Sequence, residues 1–341
     1  MGKYPVISIS LKGADAANYD EAYRLMVQII NDEAECFQFL LDSEKLTQID
    51  KMRYETLIDM EMQPAVLAMS LKKLTTLLEK HYGQKVVVLI DEYDVPLAKA
   101  YENNFYDKMV LLLRNLFGNV LKTNSSLAFA VLTGCLRIAK ESIFTGLNNF
   151  TVYSITDDEF DETFGFTSEE VQEMLSYYGL NSHFEEVKEW YDGYRFGNAD
   201  VYCPWDVVNY CKDHRESQNA APKNYWMNTS GNDVINHFID SISDNGMLTK
   251  DVLERLVNGE VITQRVDEMV TYKDLYSNID NLWSTLFMTG YLTQRGYNGN
   301  GYYSLAVPNR EIRNIIIERI LALFRKAVSG NGELLRSIAA D

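Results

Sequence analysis

The 341-residue sequence contains no uncharged apolar run of about 18 residues, the length a membrane-spanning helix requires. Behind Met1-Gly2-Lys3-Tyr4-Pro5 there is no apolar stretch of signal-peptide length, so a cytoplasmic chain that does not enter a membrane is the expectation. Cysteine is sparse. The four residues Cys36, Cys135, Cys203 and Cys211 form no C-x-x-C pair and have no histidines at zinc-ligand spacing, which points to reduced thiols, mostly in the core. His81, His183, His214 and His237 share no spacing, and none is assigned to a metal. Proline and glycine number only 6 and 19, while apolar residues make up 46% and charged residues 24%; disordered, collagen-like and low-complexity readings fall away. Positive charge is also short, 32 Lys+Arg against 49 Asp+Glu for a net charge of −17. Duplex DNA rewards basic surfaces, so strong binding to nucleic acid or an anionic membrane by this chain alone is disfavoured.

At roughly 100–200 residues per domain, the length suggests two or three packed units. Ile7-Ser8-Ile9-Ser10 alternates with period two, as a half-exposed strand does, whereas Val86-Val87-Val88-Leu89-Ile90 is apolar throughout. The first predicts a sheet edge and the second a central, doubly covered strand. Between them, Tyr19, Tyr23, Met26, Ile30, Phe37 and Leu41 mark one helix, and Leu67, Leu71, Leu74, Leu78 and Tyr82 a second, both with a 3.6-residue period. The second has Pro64 at its start and Gly83 past its end. A helix over 105–121, an apolar run Leu127 to Leu132 and a further strand at Phe150 to Ile155 complete a mostly parallel α/β sheet of at least four strands.

After about residue 156 acidic helical segments take over, at 168–178 and 183–191, with polar loops near 197–200 and 214–223. The last hundred residues read as helices at 247–257 and 281–288, a hairpin turning within Gly296 to Gly301, and a closing helix from Pro308 to Lys326, an order that resembles a winged helix. Basic residues there, Arg295, Arg310, Arg313, Arg319, Arg325 and Lys326, alternate with acids such as Glu311 and Glu318, which suits packing rather than DNA contact. The expected division is 1–155, an α/β core; 156–240, a helical domain; and 241–341, a winged-helix-like domain.

The sharpest chemical signal is the strand Val86 to Ile90 delivering Asp91 and Glu92 at its carboxyl end, where open parallel sheets place their ligands. In nucleotide hydrolases such a pair divides the work: the first carboxylate holds Mg²⁺ and the second orients the attacking water. The alternative is a strand ending in a solvated acidic turn. The run Leu127 to Leu132 brings Thr133 and Gly134 to the same rim, with Arg137 and Lys140 close behind; a hydroxyl there could sense a γ-phosphate and a cation could stabilise its charge, or the segment could be a strand-to-helix cap with Arg137 on the surface. The chain contains no G-x-x-x-x-G-K-[ST], the loop whose backbone N–H groups and lysine cradle phosphates.

Val88-Leu89-Ile90-Asp91-Glu92-Tyr93-Asp94-Val95-Pro96-Leu97 resembles the Walker B segment of the bacterial AAA-ATPase-like family. So does the stretch that opens Leu132-Thr133-Gly134-Cys135-Leu136-Arg137 and runs to Asn149. Further matching blocks are Trp190 to Gly197, Cys203 to Tyr210 and Tyr225 to Ser230, in family order. The resemblance implies a P-loop-NTPase-like sheet with a helical lid, Mg²⁺ and ATP as cofactors, Asp91 as the magnesium-side acid, Glu92 as the catalytic acid, Thr133 at the sensor position and Arg137 beside it. Family members commonly carry a P-loop segment before the point matching Tyr4 and a nuclease domain beyond the point where this chain stops. The sequence therefore reads as an ATPase core incomplete in this form, controlling a protein partner or attached effector. The alternatives are a non-catalytic protein-interaction module and a winged-helix DNA-binding regulator.

Overall fold

The structure, a computed structural model, describes residues 2–135, 150–217, 219–226, 247–272, 274–275 and 278–318. Arg137, His237 and the residues beyond 318, including Arg319, Arg325 and Lys326, lie outside them. The chain forms two compact units: residues 1–151 with 269–274, and residues 152–268 with 275–341.

Unit 1 is built on a three-stranded parallel sheet of β1 (Val6–Ser10), β2 (Val86–Asp91) and β3 (Leu127–Leu132), in the order β1-β2-β3. The continuous apolar strand is central and the alternating one is at an edge, with Ile7 and Ile9 buried and Ser8 and Ser10 outward. The register pairs Ser10 with Asp91 and Ile90 with Leu132, so the carboxyl ends of all three strands lie along one rim. Around the sheet are α1 (Tyr19–Glu35), α2 (Gln48–Glu55), α3 (Pro64–Tyr82), α4 (Val95–Glu102) and α5 (Tyr106–Leu121). Leu67, Leu71, Leu74 and Leu78 of α3 are buried, and Pro64 and Gly83 cap it as the sequence predicts. The first helix is shorter than expected. It ends at Glu35, and Phe37 and Leu41 fall at a following 3-10 turn, Gln38–Asp42.

Residues 150–155 form no strand, which corrects the expected fourth strand; among the described residues the parallel sheet has three. Phe150, Val152 and Tyr153 of this stretch are exposed, and no neighbouring strand pairs with it among the described residues. The cysteines also differ from expectation. Only Cys211 is buried, whereas Cys36 and Cys135 are exposed and Cys203 intermediate, all four free.

Unit 2 begins with α6 (Ser168–Tyr177) and α7 (Phe184–Tyr191), a hairpin of β4 (Tyr194–Phe196) and β5 (Ala199–Val201), and α8 (Pro204–Glu216). Val171, Leu175, Val187, Tyr191, Tyr202 and Tyr210 form its core. The polar loop expected at 197–200 is the turn and return strand of that hairpin, which corrects the all-helical reading of this region. Then come α9 (Met247–Val257), β6 (Ile262–Arg265), α10 (Ile279–Met288), β7 (Thr293–Gly299) and β8 (Tyr302–Ala306), with an antiparallel sheet in the order β6-β8-β7. The turn is tighter than predicted: only Asn300 and Gly301, at φ +54° and +79°, connect the strands, the two-residue pattern that suits right-twisted hairpins. Residues 310–318 are helical. Trp283, Leu286, Phe287, Leu305, Ile312 and Ile315 pack this second core. Among the described residues no helix is long and apolar enough to cross a membrane.

Candidate functional site

At the carboxyl rim of the unit 1 sheet, β2 ends on Asp91 and the chain leaves through Glu92, Tyr93 and Asp94 into α4. The neighbouring strand ends one residue before Thr133. Because parallel strands in register finish on the same side, the two termini meet: the Thr133 hydroxyl donates a hydrogen bond to Asp91 Oδ1. Backbone bonds lock the pair, with Thr133 N–H donating to Ile90 O at 2.9 Å and Tyr93 N–H to Thr133 O at 3.0 Å. Asp91 is exposed, so a carboxylate already oriented by the threonine faces outward as a hard oxygen ligand of the kind Mg²⁺ takes.

Glu92 turns the chain at φ +54°, a left-handed conformation that costs a non-glycine residue about 1–3 kcal/mol and persists only where its surroundings impose it. Its Oε1 stands 3.9 Å from Lys12 Nζ, a loose pair with Lys12 79% exposed and worth little. Its Oε2 is buried and has no hydrogen-bond partner among the described residues. A half-buried carboxylate with an unused acceptor is equipped to hold a water or take a proton.

Asp94 plays a different part. It occupies the N-cap position of α4 without capping it. Its buried carboxylate instead accepts Cys135 N–H at 3.0 Å and the Tyr272 hydroxyl at 3.2 Å, both on Oδ2. Tyr272 belongs to the 269–274 segment that returns to unit 1. Burial first, and then the Asp94 charge, raise that phenol well above its ordinary pKa, so it stays a donor. Gly134 is required by the close fit: a Cβ there would lie 2.7 Å from Asp94 Oδ1 and 2.8 Å from the Tyr93 ring. The Cys135 thiol, accessible at its surface yet set among packed groups, is pushed up to about 11 by desolvation, followed by Asp94, Glu92 and Asp91. It is a poor nucleophile at neutral pH. The structure thus brings Asp91, Glu92 and Thr133 to one rim, while Arg137 lies outside the described residues. The role of Asp94 was not predicted, although it sits in the same motif; its partners come from far along the chain.

An open surface hollow of about 640 Å³, lined by Gly2, Lys3, Tyr4, Gln84, Lys85 and Ala128, lies at the amino ends of the strands, opposite the acidic rim. It collects no catalytic acid.

The aromatic side chains of Trp190, Tyr191 and Tyr194 are engaged in packing. Tyr191 is fully buried, and the Arg310 guanidinium stacks 4.8 Å from the Trp190 ring while pairing with Glu189 at 2.8 Å. Gly193, at φ +100°, passes so close to Pro308 that a Cβ would lie 2.1 Å from its carbonyl oxygen. Asp206, near the start of α8, is buried, and burial raises its carboxyl pKa against hydrogen bonds with Glu311 and Cys203 that lower it.

Residues 1–144 match the AAA-ATPase-like family, described as "Predicted AAA-ATPase", which is the resemblance read from the Asp91 and Thr133 segments. An uncharacterized protein in the vnfD 5′ region of Azotobacter chroococcum mcd 1 is 25% identical over 244 residues, 70% of this chain and 43% of that protein. The chain therefore spans less than half the length of that relative. No solved structure matches.

Proposed function

We propose that residues 1–144 carry the magnesium-binding and water-activating side of an ATP-hydrolase site. The observation that carries this reading is the Thr133–Asp91 hydrogen bond at the carboxyl rim of a parallel sheet, with Glu92 beside it. In this reading Asp91 holds Mg²⁺, Glu92 orients the attacking water through its unused oxygen, and Thr133 reads the γ-phosphate while fixing Asp91. Arg137 supplies positive charge from the segment after Gly134. The match of residues 1–144 to a predicted AAA-ATPase supports the same assignment.

The phosphate-gripping side has no counterpart in these 341 residues, which contain no G-x-x-x-x-G-K-[ST]. The outer edge of β3 supports its arrival on a separate segment. All six residues of that strand are apolar, a composition suited to an interior strand, yet Phe129 and Val131 are 53% and 45% exposed. Triphosphate affinity comes largely from backbone N–H groups, the helix they open and one lysine. Losing several charge-assisted hydrogen bonds, each worth about 1.5–3 kcal/mol, moves a micromolar site to about millimolar or weaker, since ~1.4 kcal/mol is tenfold.

Titration calorimetry of the 341-residue chain with Mg-ATP should accordingly give a dissociation constant near millimolar or weaker. A chain extended by the family's phosphate-loop segment should bind in the micromolar range and lose Mg²⁺-dependent turnover on Asp91→Asn. Micromolar binding by the unextended chain, or no gain on extension, would defeat the proposal. The missing phosphate loop also favours a second reading, a non-catalytic interaction module, and an extended chain that binds a partner protein but no nucleotide would establish it. The β6-β8-β7 sheet with α9 and α10 serves, in this proposal, as a winged-helix-like packing or partner-binding region rather than a DNA reader. Tight duplex DNA binding by the chain at physiological salt would overturn that assignment.

A further inference from the structure

Two of the four histidines that share no sequence spacing meet in unit 2. His183 immediately precedes α7, Glu186 lies in the first turn of that helix, and His214 is in the last turn of α8. One ring nitrogen from each histidine and one Glu186 oxygen all lie within 4.8 Å of one another. The two imidazole centroids are 4.9 Å apart.

Tyr210 sets the tautomers of both rings. Its hydroxyl donates to Glu186 Oε1 and, having spent its proton there, accepts from His183 Nδ1–H at 2.8 Å. Its backbone carbonyl, which can only accept, takes His214 Nδ1–H at 3.0 Å. With Nδ1–H engaged in these bonds, Nε2 is the nitrogen left to each ring as a donor of its lone pair. For His214 that atom is buried and without a partner among the described residues, in a residue only 3% exposed. A buried acceptor left unsatisfied is costly, and a backbone carbonyl on Nδ1 is the outer-shell arrangement that prepares an imidazole to ligate through Nε2.

We propose that His183, Glu186 and His214 bind a divalent transition-metal ion of the Zn²⁺ class. Two imidazoles and one carboxylate are a donor set that suits Zn²⁺ and its neighbours rather than Mg²⁺ or Ca²⁺. Three protein ligands leave a fourth position for water, and the His183 and Glu186 side chains, 30% and 42% exposed, leave that side open to solvent. Tetrahedral coordination at about 2.1 Å places donors roughly 3.4 Å apart, so the side chains close on the ion by rotations of roughly 1 Å. The bound ion ties the first turn of α7 to the last turn of α8.

The test uses the full chain, stripped by a chelator and titrated with Co²⁺. One equivalent should bind with the visible d–d absorption of a four-coordinate ion and without a thiolate charge-transfer band, Zn²⁺ should displace it, and Zn²⁺ should raise the thermal midpoint. Glu186→Gln and His214→Gln should each weaken binding by more than the about 10–100-fold expected for an outer-shell change. Tyr210→Phe, which keeps all three ligands and removes only the orienting hydroxyl, should fall within that range. Glu186→Gln alters a partly exposed side chain, so it decides the question even if His214→Gln does not fold. Absence of a saturable equivalent, a thiolate band placing the metal on cysteine, or undiminished uptake by a folded Glu186→Gln chain would each overturn the proposal. None of these outcomes bears on the nucleotide site of unit 1.

Discussion

Gly193→Ala should destabilise unit 2 by about 3 kcal/mol or more, combining the about 1–3 kcal/mol of a strained backbone with the about 1–3 kcal/mol of forced displacement in a packed region. Gly193 sits at φ +100°, and its added methyl carbon would meet the Pro308 carbonyl oxygen at 2.1 Å. That oxygen belongs to the backbone, so no side-chain rotation relieves the clash. For a unit of this size, 3 kcal/mol corresponds to a fall of about 6–12 °C in midpoint. Gly179→Ala is the matched control: φ is +73° there, but nothing lies within 4 Å of the new carbon, and only the left-handed penalty of about 1–2 kcal/mol applies. All four tryptophans, Trp190, Trp205, Trp226 and Trp283, lie in unit 2, so their fluorescence follows this unit selectively during thermal unfolding. Equal midpoints for the two variants would show that the approach of Pro308 imposes no constraint.

Asp94→Ala should cost unit 1 about 2–6 kcal/mol, because it strands two donors, the part-buried Cys135 N–H and the buried Tyr272 hydroxyl, at about 1–3 kcal/mol each. Asp94→Asn keeps an acceptor oxygen and should lose less. Asp91→Asn, at an exposed position, should leave stability within about 0.5 kcal/mol while removing the charge on which Mg²⁺ binding would depend. Hydrogen exchange of the β2 amides during urea titration reads unit 1 directly, since tryptophan does not report on it. If Asp94→Ala and Asp91→Asn proved equally mild, the division between a structural and a functional acid in this motif would fail.

The contrast between Ile7-Ser8-Ile9-Ser10 and Val86 to Ile90 made the sheet order legible, because an edge strand shows one face to water and a central strand shows neither. The meeting of Asp91 and Thr133 followed from the same logic, as two parallel strands ending side by side. Short elements left no comparable trace. Helix α2 buries only Asp50 and Tyr54, and its signal was the Thr47–Asp50 capping box rather than an apolar stripe. Strands β4 and β5 are three residues each, too short for a period to register. The stretch Phe150 to Ile155 gave a misleading signal, since a short run of apolar and aromatic residues marks a strand only where a neighbouring strand pairs with it, and Phe150, Val152 and Tyr153 are exposed instead. The Asp94 and Tyr210 networks were invisible for another reason: each depends on partners from separate elements, in one case 178 residues apart, and hydrogen-bond partners across a fold have no sequence spacing.

The return of residues 269–274 to unit 1 fixes an order of events during synthesis. Residues 1–151 are complete on the ribosome while the acceptor on Asp94 still lacks the Tyr272 hydroxyl, because all of 152–268 must be translated first. At about 5–20 residues per second that interval lasts about 6–24 s, long compared with the collapse of a chain of this size. The nascent sheet therefore waits with a carboxylate and the site for an aromatic side chain uncovered next to its acidic rim. The last tie on the rim is made only after most of the other unit has emerged, so translation itself times the completion of the candidate site.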